Sequence, residues 1–130
     1  MSNLTGECLF CNKKKQNIIY SSKFIYVVRD SFPVTKYHSL IIPHRHISNF
    51  FDLNKDELKD LSETLKKERQ SLLNLDKKIS GFNVGVNAGK DAGQSIMHCH
   101  IHLIPRRKGD IENPRGGVRG VIPSKQKYNK

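Results

Sequence analysis

Residues 54–81 carry the one helical pattern in this chain long enough to cross the face of a sheet. Asn54 stands where a helix N-cap belongs, and Glu57 completes a capping box. Leu58, Leu61, Leu65, Leu72, Leu75 and Ile79 follow at steps of three and four, with a gap at Glu68. The spacing predicts an amphipathic helix of about five to seven turns, stopped by Gly81. Its leucine stripe reads as core or dimer surface. Strands are predicted on both sides of it. NIIY (17–20), FIYVVR (24–29) and YHSLII (37–42, stopped by Pro43) come before. FNVGVNAG (82–89) and MHCHIHLIPR (97–106) come after, with Pro105 helping to end the last. ISNFFDL (47–53) reads as a short helix or turn. With a single crossover, parallel pairing is not demanded. The pattern points to an α+β domain built on a mostly antiparallel five-stranded sheet.

The chain of 130 residues is expected to be one domain with a real core. At 36% hydrophobic and 27% charged it reads as an ordinary globular protein, and no apolar run is long enough to cross a bilayer. The start, MSNLTGECLF, lacks the basic-then-apolar order of a signal peptide, so a cytoplasmic location is expected. There the three cysteines stay reduced. A net charge of +11 suits anionic partners such as nucleotides, although scattered lysines (13–15, 66–67, 77–78) equally suit a solvated surface.

Half of the six histidines alternate over five residues: His98, His100 and His102. In a strand they share one face, while Cys99, Ile101 and Leu103 take the other. Cys99 then reads as a small core residue. Three close imidazoles depress one another's pKa, so the face calls for a metal, a hydrogen-bond relay or an anionic ligand.

The run from His98 to Ile104, the preceding GQS (93–95), HSLIIPHRHI (38–47) and the N-terminal C-x-x-C together resemble the histidine triad (HIT) family, over residues 8–107. The resemblance implies a HIT-like fold in residues 1–108 with an N-terminal zinc knuckle. It also implies a symmetric dimer with one ten-stranded sheet, and nucleotide cleavage or transfer at the α-phosphorus. The rest, 109–130, is a basic tail containing Gly and Pro, and GDIENPRGGVRGVIP (109–123) resembles the tail of some bacterial members.

The resemblance makes His100 the nucleophile, which suits an imidazole near neutral pH. It places His102 to bond phosphate oxygens, where a protonated ring would stabilise the transition state. Related uridylyltransferases carry glutamine at the position of His102, so a histidine here leans towards hydrolysis. Ser95 is implied beside the phosphate or departing group, and Asn87, Gly93 and Gln94 near phosphate, the loop supplying backbone donors. Asp30 is implied on the ribose hydroxyls. His38 is either packed near the nucleophile or simply a buried histidine. Arg106, Arg107, Lys90, Arg115 and Arg119 read as polyphosphate ligands or as surface charge.

Cys8 and Cys11 have the bite of a metal-binding pair. The resemblance supplies two more ligands for a structural zinc ion, His46 and His98, with His44 competing for the place of His46. The function so implied is hydrolysis of a purine nucleotide, either a dinucleoside polyphosphate or a nucleoside phosphoramidate. The rivals are a nucleotidyltransferase or phosphorylase and a non-catalytic nucleotide-binding protein. A nucleic-acid enzyme of the aprataxin kind is disfavoured, since its separate DNA-binding finger is missing.

Overall fold

The structure is a computed structural model that describes residues 8–128, so the first seven residues and the last two of the expected domain and tail lie outside it. Five strands form one sheet: β1 (Ile18–Ser21), β2 (Ile25–Arg29), β3 (Ser39–Pro43), β4 (Ile79–Val86) and β5 (Ile101–Arg107). Their order is β1-β2-β3-β5-β4, and every neighbouring pair is antiparallel. Among the described residues the single α-helix, α1 (Lys55–Leu75), supplies the crossover between β3 and β4. The expected short helix at 47–53 is one 3-10 turn, Phe50–Asp52. Among the described residues no helix is long and apolar enough to cross a membrane.

Helix α1 begins as its sequence dictates. The Asn54 side chain accepts from the Glu57 N–H, and Glu57 returns a bond to the Asn54 N–H. Glu57 is also gripped by two bonds from Arg45, which hold its carboxyl below the usual range although the side chain is almost wholly buried. The helix ends earlier than the leucine period suggests. The Asp76 side chain accepts from the Lys78 N–H and turns the chain out after Leu75. Ile79 and Gly81 therefore belong to β4, where Gly81 pairs with Arg106. The buried stripe also shifts. Leu58 and Leu75 are exposed, and the face against the sheet is Glu57, Leu61, Thr64, Glu68 and Leu72. The gap at Glu68 is thus an inward position, and its carboxylate lies 3.5 Å from Arg29 Nη1.

The sheet is covered on both sides. Ile25, Val27, Ile41, Cys99 and Ile101 face α1 with Leu61 and Leu53. Tyr26, Val28, Leu40 and Ile42 face the other way, under Cys8 and Phe10. That double burial explains why β2 and β3 read as unbroken apolar runs.

The last strand is offset from its expected position. It starts at Ile101 and runs through Pro105 to Arg107. Pro105 ends nothing because β3 stops pairing with β5 at Leu103. On that side Thr35 Oγ1 donates to the Pro105 carbonyl at 2.6 Å, so the missing N–H faces no strand and costs no ladder bond. His98 and His100 lie in the extended segment before β5. The Cys99 N–H donates to the Ile47 carbonyl, which preserves the alternation.

Candidate active site and metal centre

His100 stands where the chain enters β5, 9% exposed. Its Nδ1 lies 2.8 Å from the His98 carbonyl oxygen, which can only accept. Nδ1 therefore carries the hydrogen, and Nε2 keeps an open lone pair. The edge of Phe10 stands 5.0 Å from the ring and His102 stands 5.3 Å from it, centroid to centroid. The role of Phe10 was hidden in the sequence, where it is one of two apolar residues between Cys8 and Cys11.

The proton on His102 is fixed by a chain of bonds. The Val34 N–H donates to His38 Nδ1 at 3.0 Å, so His38 carries its hydrogen on Nε2. That atom lies 2.9 Å from His102 Nδ1 and donates to it. His102 is left with its hydrogen on Nε2. Burial, then the neighbouring His100 and His38, push the His102 pKa down to about 4. In the free protein the ring is a neutral donor. His38 is thus more than a buried histidine, since it orients the third ring of the triad.

That pKa has a consequence for stability. An unfolded His102 takes its proton near pH 6.5 and the folded one near 4. Between these values the unfolded chain binds more protons. The ring's contribution is complete above about pH 6.5 and drains away as pH falls towards 4. In urea titrations across this window, wild type is expected to lose stability more steeply than His102→Gln. A difference between the two that stays constant from pH 7 to 4 would refute it.

Asp30, just past β2, comes within 3.5 Å of His38 Nε2 and accepts the Phe32 N–H. Its carboxylate clusters with His38 and His102. Asn87 and His102 line a cavity of about 420 Å³ over β4 and β5. Asp30, Gly93, Gln94 and Ser95 do not line it. Gly93 has φ +98°, a conformation that glycine adopts without strain, and a side chain there would approach the Asn87 amide.

The loop before the triad departs from expectation in one respect. The N–H groups of Ala92, Gly93 and Gln94 are all spent inside the loop, on the carbonyls of Gly89 and Lys90. They are not free donors for phosphate. The Gln94 side chain is spent as well. It accepts from the Gly89 N–H and donates to the carbonyls of Ser48 and Ile96, so Gln94 fastens the loop. Ser95 is the exposed residue that follows.

Several basic residues have structural partners. Arg106 binds Asp110 and Asn83, and Arg107 binds Asp76 and the Lys36 carbonyl. Arg115 and Arg119 stack on the Tyr128 ring, each 4.9 Å from its centre. Lys90 is exposed.

The second cluster is Cys8, Cys11, His46 and His98. His98 Nε2 donates to the Pro43 carbonyl at 2.8 Å, which leaves the Nδ1 lone pair facing the other three residues. Cys8 Sγ, Cys11 Sγ and His46 Nδ1 stand 3.3, 3.4 and 3.2 Å from it. One lone pair accepts one hydrogen, so three such neighbours are not explained by hydrogen bonding. Their spacing is close to the roughly 3.4–3.6 Å between N and S ligands of a tetrahedral ion. The donor set fits such an ion within a few tenths of an ångström. His44 is not in it, because its Nε2 faces Ser21 Oγ and the Ser22 carbonyl.

Known proteins resemble this chain in sequence and in fold. The HIT domain profile matches residues 12–109. An uncharacterised HIT-like protein of Saccharolobus solfataricus is 31% identical over 125 residues, which cover 93% of this chain and 89% of that one. The asymmetrical bis(5'-nucleosyl)-tetraphosphatase of Schizosaccharomyces pombe is 34% identical over 94 residues, 72% of this chain and 51% of that protein. Among solved structures, a zinc-bound histidine triad protein of Mycobacterium smegmatis superposes with a TM-score of 0.72 at 27% identity, covering 79% of this chain and 77% of that one. Its sheet, its triad and its sequence together place this chain in the histidine triad family.

Proposed function

We propose that the protein hydrolyses purine nucleotides at the α-phosphorus through a covalent intermediate on His100. One observation carries this reading. His100 Nδ1 is tied to a carbonyl, so its Nε2 lone pair is presented beside a neutral donor, His102 Nε2–H. In this tautomer the imidazole turns Nε2 outward as the nucleophilic atom. Nε2 attacks phosphorus, and the His98 carbonyl steadies the positive charge that grows on the ring. The bond to the departing group breaks with its electron pair. A polyphosphate leaves as an anion that is stable at neutral pH. An amine leaves only with a proton, which the exposed Ser95 hydroxyl would pass on from solvent water. Water then attacks phosphorus, the N–P bond breaks with its electron pair returning to His100 Nε2, the nucleoside monophosphate leaves, and the proton from water passes to solvent.

The remaining residues bind. Asp30 holds the ribose hydroxyls, and Asn87 and His102 hold phosphate oxygens. Ser95 joins them at the end of the loop that Gly93 and Gln94 shape. The +11 charge draws the anion in. Cys8, Cys11, His46 and His98 hold a structural zinc ion that pins the N-terminal knuckle to the triad. The protein works as a homodimer in the cytoplasm. β4 is an edge strand, and beside it lies an apolar groove lined by Leu65, Leu73, Phe82 and Val84. A second copy added there continues the sheet to ten strands.

The test is a product panel. Diadenosine tetraphosphate and adenosine phosphoramidate are each incubated with the protein, with and without inorganic phosphate. AMP is expected from both, and unlabelled phosphate should not be incorporated. ADP formed only in the presence of phosphate would instead assign a phosphorylase.

A further inference from the structure

Two irregularities of the chain meet beside His38. Tyr37 has φ +75°, alone among the described residues other than glycine in being positive. Glycine adopts that conformation freely, and an aromatic residue rarely does. Glu68 faces inward from α1, and its Oε1 is the one buried side-chain polar atom among the described residues without a hydrogen-bond partner. Arg29, at the end of β2, links the two. Its Nη1 stands 3.5 Å from Glu68 Oε1 and donates to Ser39 Oγ at 2.7 Å. Its guanidinium lies 5.7 Å from the centre of the Tyr37 ring. A carbonyl only accepts, so the Ser39 hydroxyl gives its own hydrogen to the Tyr37 carbonyl, at 2.8 Å. At the other end of the same peptide, the His38 N–H donates to the Thr35 carbonyl. The Tyr37–His38 peptide is therefore clamped at both ends.

A buried charge is costly unless it is paired, and Arg29 is the cation that Glu68 faces. The carboxylate fixes the guanidinium, the guanidinium fixes the hydroxyl, and the hydroxyl fixes the peptide. Relaxing Tyr37 to an ordinary negative φ requires turning that peptide, which both of its bonds resist. His38 inherits the result. Tyr37 packs with Leu72 and Leu103 on the α1 side of the sheet, while His38 meets His102 on the other. We propose that Glu68, Arg29 and Ser39 are positioning residues, which hold Tyr37 in its left-handed conformation and so aim His38 Nε2–H at His102 Nδ1. The helix-covered face of the sheet thus sets the tautomer of a ring on the opposite face. What this does for turnover rests on the part given to His102 in the hydrolase reading above.

The test is a mutant cycle with a spectroscopic readout. Long-range proton–nitrogen correlation spectra of the labelled full-length protein at neutral pH should show His102 in one tautomer, with its hydrogen on Nε2. His102→Gln assigns the signals. Ser39→Ala breaks the clamp while Glu68 keeps its partner, and should turn His102 into a mixture of tautomers. It should also lower kcat for diadenosine tetraphosphate about tenfold, within the range that misplacing a catalytic group costs. Arg29→Met, which keeps the stem and loses the donor, should give the same mixture. Tyr37→Gly should keep the single tautomer, because glycine holds this φ without help. Ser39→Ala added to Tyr37→Gly should then change nothing further in the His102 signals, whereas a merely structural role predicts losses that add. A mixture already present in wild type, an unchanged signature in Ser39→Ala or in folded Arg29→Met, or a loss of equal size with and without Tyr37→Gly overturns the proposal. If the signals follow the cycle while turnover does not, the clamp stands and the catalytic part given to His102 fails.

Discussion

Replacing His100 with alanine is expected to lower turnover by on the order of 10⁴-fold or more, the scale on which removing a nucleophile acts. Binding of AMP should survive. His100 is small enough to lose without unfolding the site, because the groups that orient it are backbone and aromatic: the His98 carbonyl and the edge of Phe10. The same experiment should show a nucleotide covalently attached to wild-type protein after rapid acid-free quenching, and none on the variant. A variant that keeps more than about a tenth of the rate would remove His100 from the chemistry.

Stripping metal is expected to have the second largest effect, this time on stability. The knuckle carrying Cys8 and Phe10 covers one face of the sheet, and Phe10 touches both His98 and His100. Without an ion, Cys8, Cys11, His46 and His98 crowd four donor groups together with nothing to bind. A structural zinc site contributes many kcal/mol to folding, and a loss of even about 4 kcal/mol lowers melting by roughly 10 °C or more in a chain of this size. Freshly prepared protein should contain one zinc per chain. Chelation should lower the melting temperature by that amount, and Cys8→Ala should already melt low and respond little to chelator. Melting that does not move once metal analysis shows the ion gone would refute a structural role.

Much of this was legible from sequence where the cause is local. The start of α1 is written in Asn54 and Glu57, two residues that bond to each other's backbone. The alternation of His98, Cys99, His100, Ile101 and His102 carries through because each step is one residue of extended chain. The end of α1 was not legible. Ile79 continues the helical period, and nothing in the order Asp76-Lys77-Lys78 announces that one side-chain bond will turn the chain out. Pro105 misled for a related reason, since its cost depends on whether a strand lies on its N–H side. Spacing could not separate His44 from His46. The structure does so by turning His44 towards Ser21 and Ser22. The loop donors at 92–94 were overestimated because a 3-10 turn consumes them internally.

His98 faces two ways at once. Its imidazole belongs to the Cys8, Cys11 and His46 cluster, and its carbonyl sets the tautomer of His100. A backbone shift at His98 would move both the ring and the carbonyl. If the cluster holds its proposed zinc ion and His100 its proposed role, loss of the metal is expected to reach the nucleophile through this one residue, and activity should fall before the fold does.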